Sequence, residues 1–138
     1  MAPKRISVRS VPRDEFRGRW KNAQERLAAM ERELAGGLLD PALVLGVQAA
    51  IAAADALTIF TRGERSAAER HFDAITVLER VTDVPGIGEA RKHLARLLDR
   101  KSAIEYSGEA LKKDEAEGLA EHARRFVRFV GRNLPVGP

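Results

Sequence analysis

Tyr106 is the only tyrosine of the chain, and it follows Arg100 after five intervening residues. Arg96 and Arg100 are four apart, so on a helix they stack one turn above the other. Tyr106 stands just before Ser107-Gly108, where a helix is expected to stop. A guanidinium and a phenol converging at one helix end would form an anion-holding site, the first supplying charge and the second a hydrogen bond. With a pKa near ~10 the phenol stays protonated at neutral pH and is a poor general base. Arg100 and Tyr106 are therefore the candidate reactive pair.

Four further residues are candidate binding groups. His93, Arg96 and Arg100 are spaced by three and four, which places them on one helix face. Asp55 lies among alanines in an apolar stretch, where a carboxylate must be exposed, paired or functional. Two placements stay open for it: a partly solvated polar edge, or an ion pair with Arg100 across the fold. His71 is the fourth candidate. The three histidines, His71, His93 and His122, lack metal-ligand spacing. The absence of cysteine removes disulfides, thiolate metal sites and a cysteine nucleophile. Gly86-x-Gly88 is too short for a dinucleotide loop and follows no strand. No metal and no cofactor are expected.

The elements that must position these groups read as helices. Phe16, Trp20, Ala23, Leu27, Met30 and Leu34 recur at steps of four and three after Pro12, until Gly36-Gly37. Asp40-Pro41 signals a second start, with Asp40 as N-cap, and an Ala-rich apolar helix runs to about Thr61. Its small residues suit a central position. Ser66 and Glu69 form a capping box before a short third helix, which runs through Val81. A fourth helix spans about Glu89 to Glu105. A fifth begins at a second capping box, Asp114 with Glu117, and carries Arg124, Arg125, Arg128 and Arg132 beside its core stripe. No stretch alternates as a half-buried strand does. The expected fold is all-α: an up-and-down bundle of four long helices plus one short helix.

A chain of 138 residues is expected to form one domain. Residues 1–11 read as a disordered basic tail and 12–135 as the helical domain. The net charge of +4 fits either a solvated surface or a polyanion-facing patch. Residues 42–60 are interrupted by Gly46, Gln48 and Asp55, so no membrane span is expected. The N-terminus lacks an apolar signal-peptide core, and a cytoplasmic location is expected.

Three segments carry a likeness to a known family. They are the run His71 to Leu78, then Leu97-Leu98-x-Arg100-x-x-Ala103-x-Tyr106, and last Asp114-Glu115-Ala116 followed by Ala123-Arg124-Arg125-Phe126-Val127. In order and spacing they resemble the HEPN superfamily of small helical domains, in a branch with an Arg…Ala-x-Tyr signature. Its ribonuclease members carry an arginine, four to six residues, then a histidine, and bring two such pairs together at a dimer interface. The resemblance implies, for those members, metal-independent RNA cleavage. A cation stabilises the pentacoordinate phosphate and a base takes the 2′-hydroxyl proton. Here Arg100 matches the arginine, and Tyr106 stands in place of the histidine, which favours binding over cleavage. Arg65 and His71 fit the spacing formula at the wrong place in the chain. Other members pair with a nucleotidyltransferase that modifies a nearby tyrosine, but Glu105 and Ser107 occupy the positions of that pattern's histidine and tyrosine.

The expected function is thus a non-catalytic HEPN-like interaction module, a homodimer in a toxin–antitoxin-like or nucleotide-linked system. It would bind a partner protein (the nucleotidyltransferase type included), RNA or a nucleotide through Arg96, Arg100 and Tyr106. The alternative is a metal-independent ribonuclease using Arg100, Tyr106 and His71 or His93. A third reading is nucleic-acid binding through the arginines of the fifth helix and the basic tail.

Overall fold

The computed structural model describes residues 8–66 and 71–136, the side chains of 71–73 excepted. Strand β1 (Val8–Ser10) leads through a 3-10 turn at Arg13–Glu15 into helix α1 (Phe16–Ala35). Helix α2 (Leu39–Arg62), strand β2 (Glu64–Ser66), the short α3 (His71–Leu78), α4 (Ile87–Ser107) and α5 (Lys113–Arg132) follow. The chain is an all-helical bundle of four long helices and one short one, as the apolar spacing predicts. The capping box at Ser66 and Glu69 extends into positions outside the described residues.

The two strands correct the strandless expectation. β1 and β2 pair antiparallel, with Val8 opposite Ser66 and Ser10 opposite Glu64. Residues 8–10 therefore belong to the folded body rather than to a tail, while 1–7 lie outside the described residues. Three-residue strands holding arginine, glutamate and serine offer no alternation to read. Charge fixes this corner. The Glu64 carboxylate accepts hydrogen bonds from Arg62 Nε (2.9 Å) and Arg80 Nε (2.6 Å).

α2 is the central element. Val47, Ala49, Ala50, Ala53, Ala56, Leu57 and Ile59 are fully buried, packed among the other long helices. Among the described residues it is the one helix long and apolar enough to cross a membrane. Gly46, Gln48 and Asp55 interrupt it less than the sequence suggests, and its apolar surface forms the core of the bundle. α1 lays the predicted stripe against it, with Phe16, Ala23 and Met30 buried and Trp20, Leu27 and Leu34 packed at the margin. α5 adds Phe126, Val127 and Val130, and α4 adds Leu94, Leu97 and Leu98. Arg124 on α5 grips Glu31 on α1 through two hydrogen bonds of 2.8 and 2.6 Å. That grip holds the Glu31 carboxyl below the ordinary glutamate range.

The predicted acidic caps lie two residues past the observed N-caps. Leu38 and Lys112 are the N-cap residues of α2 and α5, and neither helix start has a side-chain cap hydrogen bond. Asp40, Asp114 and Glu115 lie in first turns, where a negative charge meets the positive end of the helix.

Candidate functional site

Arg100 and Tyr106 do not form a site. α4 continues through Ser107, so Tyr106 lies within its last turn. Six residues of continuous helix turn the chain by about 240°, which puts the phenol on a different face from the guanidinium. Tyr106 is 96% exposed. Arg100 instead turns to α5, where Nη2 donates to Glu115 Oε1 at 2.8 Å. Its Nε lies 2.7 Å from Glu115 Oε2, close enough for an ion pair but misaligned for a hydrogen bond. Glu109 Oε2 is 3.8 Å away. The hydrogen bond to Glu115, then the charges of Glu115 and Glu109, raise the guanidinium pKa further above its ordinary value. The charge of Arg100 is thus matched inside the protein.

Asp55 is not its partner. The charges that act on Asp55 are Arg19 on α1 and Arg65 on β2. It is partly buried, and loss of water pushes its carboxyl up to about 6 against the pull of those arginines. Of the two placements open for Asp55, the ion pair with Arg100 is excluded and the partly solvated one fits. A raised pKa means that the folded state keeps the proton longer than the unfolded chain does. The resulting stabilisation is complete below the unfolded value and is lost as pH rises through about 6. Asp55→Asn is therefore expected to stabilise the fold at neutral pH by roughly 1–2 kcal/mol, less than the full shift because the carboxylate keeps some water. Urea unfolding of both proteins at neutral pH and near pH ~4 checks this: the difference should close in acid. A variant less stable at neutral pH would show that the Asp55 charge contributes to the fold.

His71 opens α3, and its side chain lies outside the described residues. His93 and Arg96, by contrast, lie near His122 and Arg125 of α5. Antiparallel packing of α4 on α5 brings His93 against His122, with Nδ1 atoms 2.8 Å apart and ring planes tilted by 41°. Burial lowers the pKa of both rings. The charges of Arg125 and Arg96 lower it further for each, and His93 does so for His122.

Beside this pair lies a groove of about 530 Å³, between the start of α4 and the end of α5. Pro85, Gly86, Glu89, Ala90 and His93 form one wall. Arg125, Arg128, Phe129, Arg132 and Asn133 form the other. Gly86 is in the left-handed region (φ 85°), and a Cβ there would lie 3.2 Å from the Phe129 ring. Glycine thus lets the turn before α4 close onto Phe129. Arg125, Arg128 and Arg132 share one face of α5 by their spacing of three and four. Arg125 is paired with Glu121 at 3.0 Å. Among the described residues, no carboxylate pairs with Arg128 or Arg132. The first turn of α4 adds the positive end of a helix whose N-cap glycine has no capping side chain.

A family model described as "HEPN domain" matches residues 16–133. The chain belongs to the HEPN family. No curated protein and no solved structure matches it. Within this HEPN domain the polar groups that gather lie at the other end of α4 from Tyr106. Sequence reasoning left Arg125, Arg128 and Arg132 as a solvated or generally nucleic-acid-binding face and did not join them to His93. Their spacing was the available signal. The contact with His93 depends on how α4 and α5 align.

Proposed function

We propose that this HEPN domain is a non-catalytic module that binds a phosphate-bearing ligand, single-stranded RNA or a nucleotide, in the groove between the start of α4 and the end of α5. Family membership places its function within the HEPN range, a nuclease or nucleotide-related module. One observation carries the narrower reading: two guanidinium groups without carboxylate partners among the described residues, Arg128 and Arg132, line a concave surface of ligand size. Unmatched charge in a cleft attracts anions, whereas Arg100 is matched by Glu115. Phe129 also lines the groove and adds an aromatic ring, the kind of group on which bases stack. A homodimer in a toxin–antitoxin-like system, with or without a nucleotidyltransferase partner, remains part of the proposal. Sedimentation at twice the 15.2 kDa chain mass would support the dimer.

Anisotropy of a labelled oligouridylate tests the groove. With the two unpaired arginines, Arg128 and Arg132, contacting a single strand, Kd should rise about sevenfold between ~50 and ~200 mM salt. Affinity indifferent to salt would contradict an arginine-lined site. The His93–His122 pair favours a second reading, metal-independent RNA cleavage, because a neutral imidazole can accept the 2′-hydroxyl proton. Incubation of RNA with the protein in chelator decides between them. We expect intact RNA, and cleavage lost in both Arg132→Ala and His93→Gln would replace binding by catalysis.

A further inference from the structure

His93 and His122 meet through like atoms, Nδ1 to Nδ1 at 2.8 Å. Two ring nitrogens approach so closely only when one carries a proton and the other a lone pair. In the neutral pair, one ring is therefore protonated at Nδ1 and bare at Nε2, and the other is protonated at Nε2. The outer edges present one acceptor and one donor. A single added proton turns the bare Nε2 into a donor and leaves the inner hydrogen bond intact. A second would set two N–H groups head to head, so the pair titrates in two separated steps.

The charged groups facing the pair are Glu89 and Arg96 from α4, and Glu121 and Arg125 from α5. Burial and the two arginines hold both rings below the ordinary histidine range, so the pair is neutral at neutral pH. The same arginines oppose a metal cation between the imidazoles. His93 is also a wall of the arginine groove, so an anion bound there lies beside a pair whose proton affinity is lowered by burial first and by the neighbouring arginines second.

We propose that a phosphate ester enters this groove together with one proton, taken from solvent onto the His93–His122 pair. The inference rests on the groove reading above. Bound negative charge offsets the repulsion from Arg96 and Arg125 and raises the proton affinity of the pair. By linkage, the proton raises ligand affinity by the same factor. Once protonated, both outer nitrogens are donors, and the pair adds a positive charge to those of Arg128 and Arg132. His93 and His122 thus act as a ligand-coupled part of the site.

The test uses the full chain and a short oligouridylate without terminal phosphates, whose diesters do not titrate in the range used. Kd is measured at constant ionic strength from about pH 7.5 to about pH 5.5, and imidazole nitrogen resonances are followed with and without RNA. One linked proton gives a slope of at most about tenfold in Kd per pH unit. We expect binding roughly tenfold tighter at the acid end, and a protonation step that moves to higher pH when RNA is added. The pH dependence should vanish in the His93→Gln/His122→Gln double variant. A measurable Kd that is flat with pH, or imidazole resonances that RNA leaves unmoved, overturns the proton uptake and leaves the groove standing. Persistence of the slope in the double variant assigns it to another group, Asp55 included, and equally overturns the proposal. Absence of binding at every pH overturns the groove and the proton uptake together. The resonance titration needs only the wild-type protein, so a double variant that fails to fold does not prevent a decision.

Discussion

Replacing Arg128 and Arg132 together by alanine is expected to weaken oligouridylate binding about a hundredfold, at roughly 1.4 kcal/mol per lost phosphate contact. The salt dependence should flatten as well, by about 0.7 for each contact in a plot of log affinity against log salt. Both arginines lie on the α5 wall of the groove without a carboxylate partner among the described residues, so removal leaves no buried acid unpaired. Arg100→Ala and Tyr106→Phe are the matched controls. Arg100 is engaged by Glu115 and Tyr106 is 96% exposed on another face, so neither change should alter affinity. An unchanged Kd in the double variant, with a loss in Arg100→Ala, would move the site back to the far end of α4.

Gly131→Val should cost roughly 2–4 kcal/mol of stability, from overpacking that outweighs a gain in helix propensity. A Cβ at this position in α5 would lie 2.8 and 2.9 Å from Cη2 and Cζ2 of Trp20. The indole edge is stiff, and it fills the space between α1 and α5 that the missing side chain leaves open. Alanine here gains about 1 kcal/mol of helix propensity and loses about 1–3 kcal/mol to the overlap, so Gly131→Ala should be neutral to destabilising. Valine adds two methyl groups to the same overlap. For a domain of this size the melting temperature should fall by about 10 °C. Calorimetry checks it, and a second background makes the cause explicit. With Trp20→Ala the obstacle is gone, and Gly131→Ala should become stabilising. A penalty that persists without the indole would mean that the glycine is needed for some other reason.

The helices could be read from the sequence because burial imposes a period on it. Phe16, Trp20, Ala23, Leu27, Met30 and Leu34 all meet the bundle, and the glycines at 36–37, 63 and 108 fall just past helix ends. Boundaries drifted by one or two residues where caps were inferred from acidic side chains. Asp40 and Asp114 serve the first turn electrostatically rather than through a capping hydrogen bond. The β1–β2 pair escaped because its cohesion comes from backbone hydrogen bonding and the Glu64 clamp, neither of which leaves an apolar pattern.

The site was legible only in part. Residue types at helical spacing correctly put His93 and Arg96 on one face, but they cannot say which neighbouring helix that face meets. Arg100 belongs to the same row and yet finds Glu115, because α5 presents a carboxylate at that level and His122 two turns further on. Tyr106 drew attention as the only phenol, on the assumption that the helix stopped short of it. α4 runs two residues further, to Ser107, and holds it on a different face from Arg100. The positive groove needed three facts that lie far apart in sequence: the glycine turn at 86, the arginine row at 125–132 and the antiparallel docking of their helices.

Amide chemical-shift mapping with the oligouridylate tests most directly where the ligand sits. The largest changes are expected at residues 86–93 and 125–133, on the two walls of the groove, with little effect at 100–115. Changes centred on Arg100, Glu115 and Tyr106, or none at saturating RNA, would contradict the assignment of the site.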